Sequence, residues 1–159
     1  HIQCHRVSVA ALKLARDPAW HPELGPAWTV PKVYYQFGFH RLRYAALDAA
    51  MHEAGMASPY AERLARWDDR NYEHRITTRV PCADYFEVRD AALRAHASQI
   101  DPDGHWFAVP LETQRRAWPT EDWQLVFSAV PTVLPEEDLF AGLRPQAPGW
   151  PDPSDLWEI

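Results

Sequence analysis

Apolar positions set the outline of the chain. Val7, Ala10, Ala11 and Leu14 recur at helical spacing, which predicts a helix over 1–16 with one buried stripe, stopped by Asp17-Pro18. A β-branched and aromatic run at 30–35 predicts a strand, and Pro31 confines it to a strand start or an edge. Leu42, Ala45, Ala46, Ala49, Ala50 and Ala54 mark a second helix ended by Gly55. Ser58 as cap and Pro59 at the first helical position open a third, to about Trp67. The stretch 75–80 alternates and predicts a strand. Asp84 and Glu87 form a capping-box variant that opens a helix over 85–98. Its expected inner face holds Tyr85, Val88, Ala92 and His96, with Gln99 just past the end. A turn at 101–104, one or two helical turns at 112–118 and a strand at 123–127 follow. Residues 138–143 suit a short docking segment. Helices alternating with a few strands make the chain α/β.

From Pro145 the composition changes to Pro, Gly and Asp. We expect a domain over 1–144 and a poorly ordered tail over 145–159, with Trp150 and Trp157 as sticky points. A hydrophobic content of 47% in 159 residues is enough for the core of one domain, yet no apolar run is long enough for a membrane helix. A formal net charge of -6 argues against a nucleic-acid groove or an anionic membrane surface. Cys4 and Cys82 make neither a disulfide framework nor a C-x-x-C zinc pair, so a reducing cytoplasm fits best.

Candidate chemistry begins at the first residue. His1 and His5 are four apart, so on a helix both imidazoles share a face and suit one divalent metal. The zinc-protease helix carries a Glu after its first His; Ile2 stands there, which excludes that reading. Spacing alone favours a solvated pair. His96 and Gln99 need partners if they lie on a buried stripe, and a backbone carbonyl is the ordinary one for the histidine. His21, Lys32 and the 68–71 charge cluster read as surface features. The helix that starts at His1 has no Met ahead of it, and we read the sequence as the C-terminal part of something longer.

Five segments taken in order carry a family resemblance. They are 1–11 (HIQCHRVSVAA), 31–35 (PKVYY), 80–86 (VPCADYF), 95–101 (AHASQID) and 118–121 (WPTE). Together they resemble the mycothiol S-conjugate amidases of the LmbE-like zinc N-deacetylase superfamily, from His1 to about Leu143. The resemblance implies a Rossmann-like α/β fold of which this chain supplies the C-terminal part. It implies a single Zn2+ per site; the same ligand set also takes Fe2+. That family binds zinc through an Ala-His-Pro-Asp-Asp-Glu motif and a later His-Pro-Asp-His motif whose last histidine is a ligand. His1 matches that histidine. The other ligands and the aspartate base would lie upstream, so no catalytic residue is assigned in this chain and the chain alone is expected to be inactive.

Gln99 matches the glutamine of the family's His-x-Ser/Thr-Gln stretch and becomes a substrate-contact candidate, since an amide both donates to and accepts from sugar hydroxyls. His5 and His96 are weaker candidates carried by the same segments. The implied reaction hydrolyses the amide between an S-substituted cysteine and glucosaminyl-inositol, releasing a mercapturic acid. Metal-bound water attacks the carbonyl while a carboxylate moves the proton. The expected partners are a small-molecule thiol conjugate and the missing N-terminal portion; an oligomer stays compatible. The sister activity, deacetylation of N-acetylglucosaminyl-inositol, is the nearest alternative, and a non-catalytic fragment is the other. The segment 37–79 favours the amidase, because a larger acyl group needs more apolar surface.

Overall fold

The computed structural model describes residues 1–68 and 72–143. Three strands form one antiparallel sheet in the order β1 (Lys32–Gln36), β3 (Thr120–Ser128), β2 (Thr78–Pro81). The described residues also form five α-helices: α1 (Ile2–Ala15), α2 (Arg41–Glu53), α3 (Ala61–Ala65), α4 (Phe86–Arg94) and α5 (Leu111–Ala117). The class is α/β, as the sequence predicts. Among the described residues no helix is long and apolar enough to cross a membrane.

β3 is the centre because both other strands pair with it. Lys32 faces Ser128 and Gln36 faces Trp123, with a bulge between Val33 and Tyr34; Thr78 faces Trp123 and Pro81 faces Thr120 from the other side. Pro31 precedes an edge strand, where a missing N–H breaks no ladder. Beyond β3 the chain returns to β2: the Arg79 N–H donates to the Glu136 carbonyl at 2.9 Å, and the Glu136 N–H to the Thr77 carbonyl at 3.0 Å. This bridge covers part of the outer edge of β2.

The core lies between helices. Leu47 and Met51 of α2 meet Val109, with Met56, Tyr60, Ala117 and Trp118 packed around them. Each such fully buried side chain contributes about 1.5–3 kcal/mol. α2 ends as expected, Gly55 taking the left-handed φ of 70° after the last turn.

Several expectations are corrected. In α1 no residue is buried; Val9 and Leu12, rather than Val7 and Leu14, are half-buried and line a cavity together with Val33 and Phe127. Val7 remains 67% exposed because the described residues place nothing opposite the predicted stripe. α4 starts at Phe86 and turns Tyr85, Val88, Ala92 and His96 outward; Phe86 and Asp90 point inward, with Leu93 half-buried one turn on. The capping box does not form, since Glu87 pairs with Arg115 instead. α3 begins at Ala61, although Ser58 still accepts from the Tyr60 N–H at 3.1 Å. Residues 73–75 make a 3-10 turn, which delays β2 to Thr78. Lys32 is buried rather than solvated: its ammonium pairs with Glu136 and donates to the Ala141 carbonyl at 3.0 Å. That bond ties the 138–143 segment to β1. The expectations for 69–71 and for the 145–159 tail fall outside the described residues.

Candidate functional site

His1 sits exposed at the tip of α1. Its carbonyl accepts the His5 N–H at 3.0 Å, while its imidazole makes no capping bond. The His5 ring, also exposed, meets the Tyr35 ring edge-on at 5.5 Å, which places the start of α1 over β1. His96 and Gln99 share the turn that follows α4. His96 Nδ1 bonds the Ala92 carbonyl at 2.9 Å and Gln99 Nε2 donates to the Ser98 carbonyl at 3.0 Å. The carbonyl partner expected for the histidine is therefore present, on an exposed turn rather than in a core. Among the described residues no three His, Cys, Asp or Glu side chains converge as a metal site. His1 is available as one donor and cannot hold an ion by itself. Cys82 is half-buried, and burial pushes its thiol pKa up, away from nucleophilic use.

A cleft of about 290 Å³ opens between α2, α4 and the loop before α5. Its deepest wall is Tyr44 and Leu47, 7% and 4% exposed; its rim is Phe39 and Trp106, whose rings meet edge-on at 5.7 Å. Arg43 and Glu121 form a two-pronged pair at 3.0 and 3.2 Å along one side. Gly38 lies beside this pair: a side-chain carbon there would stand 3.4 Å from Arg43 Nη1. The Arg89 guanidinium lies over the Phe86 ring, 4.3 Å from its centre, and donates to Asp90 at 2.9 Å and Gln114 at 2.8 Å. Burial disfavours the Arg43 cation, yet its bonds to Glu121 outweigh that and hold its pKa above the ordinary arginine value. Burial also raises the Tyr44 and Tyr60 phenols, so both stay neutral.

Close to the cleft, His40 and Asp122 form a buried pair. The sequence reading missed both groups. Arg43 and Glu121 stand 78 residues apart and His40 and Asp122 stand 82 apart, so no local spacing links them. The detectable signal was Glu121-Asp122 at the head of a predicted strand, where two adjacent carboxylates call for partners.

No protein-family model matches the chain, and no solved structure does. Among curated proteins it is 49% identical over 150 residues to mycothiol S-conjugate amidase of Streptomyces coelicolor, covering 92% of this chain and 51% of the relative. It is 35% identical over 153 residues to the 1D-myo-inositol 2-acetamido-2-deoxy-alpha-D-glucopyranoside deacetylase of Streptomyces avermitilis, covering 91% of this chain and 49% of that one. The deacetylase of the same name from Streptomyces griseus is 38% identical over 156 residues, with 94% and 46% covered. The chain spans about half the length of the curated relatives it matches.

Proposed function

Because the chain is a relative of mycothiol S-conjugate amidase and of the inositol acetamido-glucoside deacetylases, we propose that it is part of an amide hydrolase of mycothiol metabolism. We place its reaction in the cytoplasm and its scissile bond in an S-conjugate. The observation that carries this reading is the 49% identity to the amidase, against 35% and 38% for the two deacetylases.

His1 is our proposed metal donor, for zinc or iron(II). An imidazole at an exposed helix tip with no capping bond is free to bind an ion shared with residues outside this chain. Among the described residues no others complete such a site. Gln99 is the proposed sugar contact. Its amide is exposed and, among the described residues, bonds a neighbouring carbonyl, a bond a hydroxyl can replace without stranding a buried group. His5, edge-on to Tyr35, and His96, bonded within its own turn, would set the positions of these two segments.

The test uses a protein spanning the full length of the relatives. It should hydrolyse a mycothiol S-conjugate, and His1→Ala should remove both activity and bound metal. Retained metal with retained activity would sink the His1 assignment. Turnover of the N-acetyl sugar without conjugate hydrolysis moves the reading to the deacetylase, whose relatives match 91–94% of the chain. Neither reaction, with no metal bound, leaves a non-catalytic binding fragment.

A further inference from the structure

We propose that the cleft walled by Tyr44, Leu47, Tyr60 and Leu93 and rimmed by Phe39 and Trp106 binds an uncharged aromatic or branched apolar group. We assign that group as the substituent on the sulfur of the conjugate, an identification that rests on the amidase reading above. The argument starts from charge. Two guanidiniums line the cleft, which alone would suggest an anion site. Both are already engaged. Arg43 gives two donors to Glu121, and Arg89 gives its own to Asp90 and Gln114 while Glu121 stands 3.6 Å from its Nη1. A carboxylate entering the cleft would meet Glu121 and would have to displace bonds already made. An ammonium would face two cations. A neutral group meets neither cost.

Shape adds to this. A volume of about 290 Å³ holds one ring system rather than a whole conjugate, which leaves the sugar outside. The deep wall is buried and apolar, and the two aromatic rings at the rim are 57% and 38% exposed, as a gate in contact with both solvent and guest would be. The Arg89 guanidinium already lies over the Phe86 ring at 4.3 Å, the kind of contact that a guanidinium also makes with an aromatic guest. Tyr44 and Tyr60, 4.9 Å apart and edge-on, bring the α2–α3 segment to this wall.

The cleft is tested on this chain directly, by ligand-observed NMR titration with S-benzyl-N-acetylcysteine methylamide, a neutral probe. Benzoate and benzylammonium serve as charged controls. The neutral probe should bind at least about tenfold more tightly than either control, and Leu93→Trp, which fills the cleft from a half-buried position, should weaken it about tenfold. Tyr60→Leu, which keeps the wall apolar but removes its ring, should weaken it several-fold; circular dichroism confirms that both variants fold. No binding, equal binding of benzoate, or binding unaffected by both variants overturns the proposal. Hydrolysis is read separately, in the protein spanning the full length of the relatives. Probe binding that obeys these rules without conjugate hydrolysis sinks the amidase reading and leaves the neutral-group cleft in place.

Discussion

His40 Nε2 and Asp122 meet at 2.7 Å although 82 residues separate them, and neither side chain is more than 3% exposed. The same carboxylate accepts the Trp118 indole N–H at 2.9 Å and the Thr120 hydroxyl at 3.0 Å, with Arg79 3.8 Å away. One acid thus ties the start of α2, the end of α5 and the head of β3. Its side chain is fully buried and bonded within the chain, so it serves the fold. Asp122→Ala should strand His40, Trp118 and Thr120 together and cost about 3–5 kcal/mol. For a chain of this length that lowers Tm by roughly 6–20 °C. Thermal melts followed by circular dichroism check it, and a loss within 2 °C would mean the cluster has little mechanical role.

The Lys32–Glu136 pair makes a second prediction, in pH. Burial opposes the ammonium, but its bonds to Glu136 and Tyr34 prevail and the Lys32 pKa lies above its ordinary 10.5. Burial raises the Tyr34 phenol above its ordinary 10.0, and its hydroxyl donates to Glu136 at 2.7 Å. In both cases the folded chain keeps a proton that the unfolded chain releases. Stability from these groups is therefore complete below pH of about 10 and falls as pH climbs through the folded values. Urea midpoints from pH 8 to 11.5 should decline above 10, and Lys32→Met with Tyr34→Phe should flatten that decline.

His1 and Gln99 should behave oppositely to Asp122. Both are exposed and neither side chain holds another element in place. His1→Ala and Gln99→Ala in this chain should each change stability by no more than about 0.5 kcal/mol. In the protein spanning the relatives' full length, the same changes should lower conjugate hydrolysis, His1→Ala by abolishing it and Gln99→Ala by raising KM. A Tm drop of many degrees in the isolated chain would show that these residues had been kept for the fold.

The sequence made some of this legible and left the rest hidden for a physical reason. The existence of α2, its Gly55 stop, β3 and the exposure of His21 all depend on neighbours within a turn or two, whereas the α2 stripe was misplaced: Tyr44, Leu47, Ala50 and Met51 are buried, while Leu42, Ala49 and Ala54 of the predicted face are exposed. Lys32 could not be placed that way, because its partner lies 104 residues on. The same limit hid Arg43 with Glu121, and with it the polar side of the cleft. His1 and Gln99 entered through resemblance, and the structure sets them at an exposed helix tip and an exposed turn without joining them.

α4 shows how a helical pattern misleads, and it carries the last prediction. Tyr85, Val88 and Ala92 have apolar spacing, but the stripe that packs is Phe86, Asp90 and Leu93. Two amphipathic readings of one helix differ here by a single residue, and a charged Asp90 hid the true one. Phe86 is 1% exposed, covered by the Arg89 guanidinium, and Asp90 is held by that same arginine. Tyr85, one residue earlier, is 68% exposed. Phe86→Ala should cost about 3–5 kcal/mol through the cavity it leaves and the loss of the surface on which Arg89 lies. Tyr85→Ala should cost less than about 0.5 kcal/mol. Paired urea titrations decide between the two faces. Equal losses, or a larger loss at Tyr85, would mean that α4 presents its other side to the protein.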